Sequence, residues 1–86
     1  MISFKNKNIL ITGASGAIGN ELVKKFVELD GNVLGTGTNV DKLNSLKKKY
    51  PKIKVKKFDI SEHSHIEEFI ENVTLELGGL DILINN

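Results

Sequence analysis

The sequence predicts an α/β fold, a parallel sheet of four strands in the order 3-2-1-4 with helices on both faces. Three observations lead there. Short apolar runs with the length of buried strands alternate with longer stretches whose apolar residues recur at helical spacing. Glycine, proline and asparagine punctuate nearly every change of period. Right-handed crossovers between parallel strands then leave few arrangements open.

The first strand is Asn8-Ile9-Leu10-Ile11-Thr12, an apolar run that ends at a glycine. A turn of small residues, Gly13 to Gly19, leads into a helix running to Leu29, with Ile18, Leu22, Val23, Phe26 and Val27 on one face. Asp30-Gly31-Asn32 breaks it, and Gly31 suits a left-handed cap. Val33 to Thr36 is the second strand. Thr38 or Asn39 can cap the next helix, which carries Val40, Leu43 and Leu46 and stops at Tyr50-Pro51. Ile53, Val55 and Phe58 mark the third strand. Ser61 is placed to cap a helix with Ile66, Phe69, Ile70, Val73 and Leu77 on one face, ended by Gly78-Gly79. Leu80 to Ile84 is the fourth strand.

Composition narrows the function classes. The 86 residues suffice for one small domain of limited burial, with 40% hydrophobic and 27% charged residues. A net charge of +1 gives no electrostatic reason to expect nucleic acid or an anionic membrane as partner. Cysteine is absent, which excludes disulfides and thiolate chemistry and fits a cytoplasmic protein. No long apolar stretch suggests a signal peptide or a membrane span. The twelve basic residues are all lysine. Those between Lys47 and Lys57 are balanced by Glu62, Glu67, Glu68, Glu71 and Glu76, with no series of interleaved aromatic residues to stack bases beyond the single Tyr50, and read as a solvated face.

Thr12-Gly13-Ala14-Ser15-Gly16-Ala17-Ile18-Gly19 lies between a strand and a helix, the context a phosphate-binding loop requires. Gly13 can make the tight turn, small side chains from Ala14 to Ala17 let the backbone approach a pyrophosphate, and Gly19 permits close packing of the helix. The helix N-terminus then points N–H groups and partial positive charge at the phosphates.

The same segment resembles the Thr-Gly-x-x-x-Gly-x-Gly loop of the short-chain dehydrogenase/reductase family. Asp81-Ile82-Leu83-Ile84-Asn85-Asn86 resembles the start of that family's Asn-Asn-Ala-Gly motif at the end of the fourth strand, and Phe58-Asp59-Ile60-Ser61 its Asp-Val stretch after the third strand. Essentially the whole chain is in register with the N-terminal part of that family's Rossmann-type domain. Gly35-Thr36-Gly37-Thr38-Asn39 is most similar to bacterial 3-oxoacyl-[acyl-carrier-protein] reductases. One departure is that the family's middle glycine falls at Ala17, with Gly16 in the preceding place. Spacing of Gly13, Gly16 and Gly19 also suits the extended, epimerase-like branch, whereas the Asn-Asn pair favours the ordinary-length reductases. The resemblance implies that Gly13, Ala14, Ser15, Gly16, Ile18 and Gly19 form the pyrophosphate side of a dinucleotide site. It places Thr38 and Asn39 by the adenosine ribose, Asp59 on the adenine amino group, Ile60 against the ring, and Asn86 by the nicotinamide-side ribose.

NADP is expected over NAD. An NAD site places a carboxylate about 20 residues past the glycine loop to accept from the ribose 2′-hydroxyl, and the second strand here ends in Thr36-Gly37-Thr38-Asn39. Thr38 and Asn39 can donate to a 2′-phosphate. Lys42 could add a point charge or be an ordinary solvated lysine, and Asp41 could reach back toward a ribose. The tyrosine, lysine and serine that carry out carbonyl reduction in the family fall beyond the fourth strand. Tyr50 and Lys54 have the Tyr-x-x-x-Lys spacing, but Pro51 keeps them off one helical face and they precede the third strand, at the wrong end of the sheet. Tyr50 is expected to pack at the helix end. Ser15 has no base beside it for a hydrolase. His63 and His65, two apart, do not share a helical face and read as solvated.

The expectation is thus the N-terminal portion, residues 1–86, of an NADP-dependent carbonyl reductase. The parent enzyme would take an acyl-carrier-protein-linked substrate and form a homo-oligomer, and the 86-mer alone would be inactive, with an open fourth strand prone to self-association. The alternative is a noncatalytic nucleotide-binding or interaction module.

Overall fold

The computed structural model describes residues 2–86. In chain order the elements are β1 (Asn8–Ile11), α1 (Ala17–Glu28), β2 (Asn32–Gly37), α2 (Val40–Lys49), β3 (Lys54–Lys57), α3 (His63–Leu77) and β4 (Ile82–Ile84). The strands form one parallel sheet in the order β3-β2-β1-β4, as expected. Leu10 of β1 lies opposite Leu34 of β2 on one side and Leu83 of β4 on the other.

Alternation along the strands divides the core in two. Ile9, Ile11 and Val33 face α1 and α2, where they meet Val23 and Leu46, with Ile53 just before β3. Leu10 and Leu34 face the opposite way and pack under Val73 of α3, flanked by Phe69, Ile70, Leu77 and Leu80. Burying each such side chain contributes about 1.5–3 kcal/mol relative to leaving it in water. Two-sided burial explains why β1 reads as a continuous apolar run rather than an alternating one.

Helix ends show where local chemistry departs from expectation. At the end of α1 the left-handed residue is Asp30, at φ 67°, not Gly31. The Gly31 N–H reaches back to Phe26 O at 2.8 Å and the Asp30 N–H to Val27 O at 3.0 Å, which satisfies two terminal carbonyls. Gly31 serves by lacking a side chain, because a Cβ there would lie 2.5 Å from Ile9 Cδ1. Asn39, not Thr38, caps α2, its side chain accepting from the Lys42 N–H at 3.0 Å. Tyr50 packs against the core at the end of that helix, as expected. Lys47 Nζ donates to the carbonyls of Pro51 and Ile53, bracing the turn into β3.

Ser61 does not cap α3. The helix begins at His63 behind Glu62, with no side-chain cap. The Ser61 hydroxyl and N–H both donate to Asp59 Oδ1, at 2.7 and 2.9 Å. Asp59, two residues upstream, offers a local acceptor that captures the serine before the helix can use it. β4 is shorter than expected, starting at Ile82, and Asp81 just before it fastens the strand's start, its Oδ2 accepting from the Asn8 N–H at 2.8 Å and its own N–H donating to Asn8 O at 3.0 Å. Among the described residues no helix is long and apolar enough to cross a membrane.

Candidate functional site

Parallel strands deliver all their following loops to one edge. Residues 12–16 follow β1, residues 38–39 follow β2, residues 58–62 follow β3 and residues 85–86 follow β4. The chain crosses from β1 to β2 on one side and arrives at β4 on the other, so a crevice opens beside the end of β1. All the residues expected to hold a dinucleotide lie in these loops or at the start of α1.

The glycine loop is the most constrained of them. Gly13 has φ +62°, a left-handed conformation that suits glycine. Its carbonyl accepts from the Gly16 N–H at 3.2 Å, closing the turn. Gly19 is buried for a different reason from the one expected. A Cβ there would lie 2.2 Å from Gly13 O and 2.7 Å from Ala14 Cα, so the helix packs on the loop's own backbone rather than on the sheet. Ala14 is fully buried and its N–H donates to Thr36 O at 2.8 Å, pinning the loop to β2. Ser15 lies over the end of β2, where a Cβ on Gly37 would come within 2.9 Å of its Oγ.

Gly16 is the N-cap residue of α1, with no side-chain cap and no acid in the first turn. The first-turn N–H groups therefore keep no side-chain acceptor and face outward with the positive end of the helix. Ile18 stands 68% exposed beside them. The Gly16 carbonyl accepts from both the Asn20 N–H at 2.8 Å and Asn20 Nδ2 at 2.9 Å, so the loop's last carbonyl is committed to the helix.

The end of β4 is clasped to this loop. The Thr12 hydroxyl donates to Asn85 Oδ1 at 3.0 Å and accepts from the Asn86 N–H at 3.0 Å. Asn86 Nδ2 donates to Gly13 O at 3.1 Å, so the amide expected near a ribose is committed at its nitrogen to the loop. Reading the sequence does not single out Thr12, Asn85 or Asn20 for these roles, because the bonds of Thr12 span 73 and 74 residues.

On the far side, Thr38 and Asn39 are exposed, with Asn39 Oδ1 used by the helix cap and its Nδ2 left as a donor. The Ser61 hydroxyl and then the Ser61 N–H hold the Asp59 carboxyl below the usual carboxylate range. These bonds use Oδ1 and leave Oδ2 for a donor such as an exocyclic amine. Ile60 is 42% exposed. It borders a cavity of about 560 Å³ on the α3 side of the sheet, lined also by Thr12, Phe58, Phe69, Leu83 and Asn85. Tyr50 and Lys54 sit at the opposite end, before and at the start of β3. His63 and His65 are exposed on the first turn of α3, His65 Nδ1 lying 3.7 Å from Glu62 Oε2.

The residues present fit a dinucleotide. A glycine cradle that a Cβ at residue 19 would fill, an uncapped helix N-terminus and a crevice at the strand switch are the parts such a ligand requires.

Comparison with known proteins agrees. A family model described as short chain dehydrogenase matches residues 7–86. An uncharacterized oxidoreductase of Bacillus subtilis is 36% identical over 81 residues, covering 94% of this chain and 32% of the relative. A 3-oxoacyl-[acyl-carrier-protein] reductase of Salmonella typhimurium is 31% identical over 86 residues, covering 99% of this chain and 35% of its own. The crystal structure of a short chain dehydrogenase from Bacillus anthracis superposes with a TM-score of 0.86 at 31% identity, covering 98% of this chain and 35% of that one. The chain thus spans about a third of the length of the curated relatives it matches. With the glycine loop, the strand order and these matches in agreement, the chain belongs to the short-chain dehydrogenase/reductase family, whose members bind a nicotinamide dinucleotide.

Proposed function

We propose that this chain is the N-terminal, NADP-binding portion of a single Rossmann-type domain, in an enzyme that reduces a carbonyl by hydride transfer. The observation that carries the reading is the glycine loop, closed by Gly13 at φ +62°, packed by Gly19 and clasped to β4 through Thr12, Asn85 and Asn86. Gly13, Ser15, Gly16 and Ile18 line the pyrophosphate, while Ala14 and Gly19 shape the loop beneath it. Thr38 and Asn39 adjoin the adenosine ribose, Asp59 and Ile60 hold the adenine, and Asn86 faces the nicotinamide-side ribose through its remaining oxygen. The bound nicotinamide supplies the hydride. The residues of this chain orient it and carry none of the proton transfer. NADP is favoured because no carboxylate stands at the tip of β2 to repel a 2′-phosphate.

In the finer reading the enzyme is a cytoplasmic, homo-oligomeric 3-oxoacyl-[acyl-carrier-protein] reductase of fatty acid synthesis. Likeness to the Salmonella reductase supports this. The test measures NADPH binding and NADPH consumption by the full-length protein with 3-oxoacyl thioesters and with unrelated ketones. Turnover of the thioesters is expected. Binding without thioester turnover would remove the finer reading and keep the dinucleotide site. Failure to bind either nicotinamide dinucleotide would remove both.

A further inference from the structure

We propose that the edge formed by the end of α2, the turn after it and β3 is a docking surface for an acidic protein segment, a helix of about three turns with carboxylates along one face. The proposal does not depend on the dinucleotide reading. Its lysines stand on the outermost strand and beside it, two strands away from the crevice at β1.

The structure separates charges that the sequence balances. Residues 42–57 include eight lysines and no carboxylate, whereas residues 58–86 include seven carboxylates and no lysine. The lysines lie on α2, on β3 and on the turn between them. Most of the carboxylates belong to α3, which covers the opposite face of the sheet from α2. Glu76 alone among them reaches a lysine, Lys56, at 3.2 Å. Among the described residues Lys48, Lys52 and Lys57 are exposed and make no ion pair. The edge therefore presents like charges that repel one another until an anionic partner covers them.

Local geometry holds these charges on one rigid rim. Leu43 and Leu46 anchor α2 to the core, and Lys48 points away from that face. Val55 packs into the core on the α2 side, so alternation along β3 puts Lys57 on that side as well. Lys52 stands on the turn between them, and Lys47 fastens that turn by donating to the carbonyls of Pro51 and Ile53.

Size and composition select the partner. The ten residues of α2 extend about 15 Å, and the four of β3 about 13 Å. Such a strip matches about three turns of a helix laid alongside it. A nucleic-acid duplex or a membrane would reach past it to the carboxylates of α3. No arginine is present to fork onto phosphates, and Tyr50, the one aromatic residue of the segment, is packed against the core. Ammonium groups on flexible stems suit carboxylates spaced along a helix. Contact is through side chains, because lysines on an edge strand deter backbone pairing.

The test uses the full-length protein and three probes, followed by fluorescence anisotropy. These are a synthetic three-turn helical peptide with glutamate along one face, the same peptide with lysine for glutamate, and a DNA duplex of equal length. The acidic peptide is expected to bind, and raising salt from about 0.05 M to about 0.3 M should weaken it about fivefold or more. Reversing the rim with Lys48→Glu, Lys52→Glu and Lys57→Glu together should cost about tenfold or more. The same reversal at Lys5, Lys7 and Lys24 changes net charge equally and should cost less than about twofold. Glutamine at the three rim positions removes charge alone and should give a smaller loss, which carries the test if the reversed rim unfolds. Equal losses in the two reversed sets would overturn the proposal, because binding would then follow net charge alone. Tighter binding of the duplex or of the lysine peptide would overturn it too, as would no binding of the acidic peptide by folded native protein.

Discussion

The two faces and the two edges of the sheet are built to different standards. On one face, α1 and α2 close over Ile9, Ile11, Val33 and Ile53, and the β3 edge strand is Lys-Val-Lys-Lys. On the other face, α3 covers Leu10 and Leu34 with one fully buried residue, Val73. Leu83 remains 48% exposed and Leu75 81% exposed, and the outer strand is Ile-Leu-Ile with no charge. Lysines on an edge strand deter further pairing, and Lys56 is also held by Glu76 at 3.2 Å. A bare apolar edge next to an apolar cavity does the opposite. The contrast teaches that the composition of an edge strand marks which edge of a parallel sheet is protected from further pairing.

The sharpest test of that contrast is truncation on each flank. Ile11→Ala, at a fully buried position, is expected to cost about 2–5 kcal/mol in denaturant unfolding. Leu83→Ala should cost less than about 1 kcal/mol in the isolated chain, where that side chain is half exposed. Equal losses would mean that the flanks do not differ. Next comes Gly19→Ala, whose Cβ would meet backbone atoms that cannot rotate away. It should destabilise by about 1–3 kcal/mol and abolish measurable dinucleotide binding, showing that the finished flank carries the ligand cradle.

A smaller effect is expected on the open flank. Leu83→Lys should leave thermal stability within about 0.5 kcal/mol while shifting the isolated chain toward monomer in sedimentation. No change in association would show that the β4 edge is not the sticky surface. Smallest of all is Ser61→Ala, which removes the main cause of the lowered Asp59 pKa. A depressed carboxylate pKa favours the folded state above the unfolded pKa, and that contribution fades as pH falls through the folded value. The stabilities of native and variant proteins should therefore differ by a constant amount near neutrality and converge below the usual carboxylate range. NMR titration should show Asp59 ionising at higher pH in the variant.

Much of this was legible from sequence because the determinants are local. Apolar runs at Ile9–Ile11 and Val33–Leu34, the Gly13–Gly19 loop and the Tyr50-Pro51 stop each act within a few residues of themselves. The misreadings are also physical. Ser61 has the right side chain for a cap, but Asp59 competes for it at closer range. Gly31 has the right backbone freedom for a left-handed cap, but the chain needs its small size against Ile9 and lets Asp30 take the turn. Thr12 and Asn85 were silent because their partners lie at the opposite end of the sequence and come together only when β4 docks against β1.

The clasp at Thr12 has a consequence for timing. Synthesis delivers the phosphate loop early, within the first nineteen residues, yet the groups that hold its carbonyl and hydroxyl arrive only with residues 85 and 86. A nascent chain thus exposes the loop long before it can be locked. Because occupancy and locking favour the same conformation, a nucleotide that binds the completed loop must also tighten the attachment of β4, by the same free energy with which β4 improves the nucleotide's binding. The ligand then acts as a late folding template for the flank that the protein alone leaves loosest.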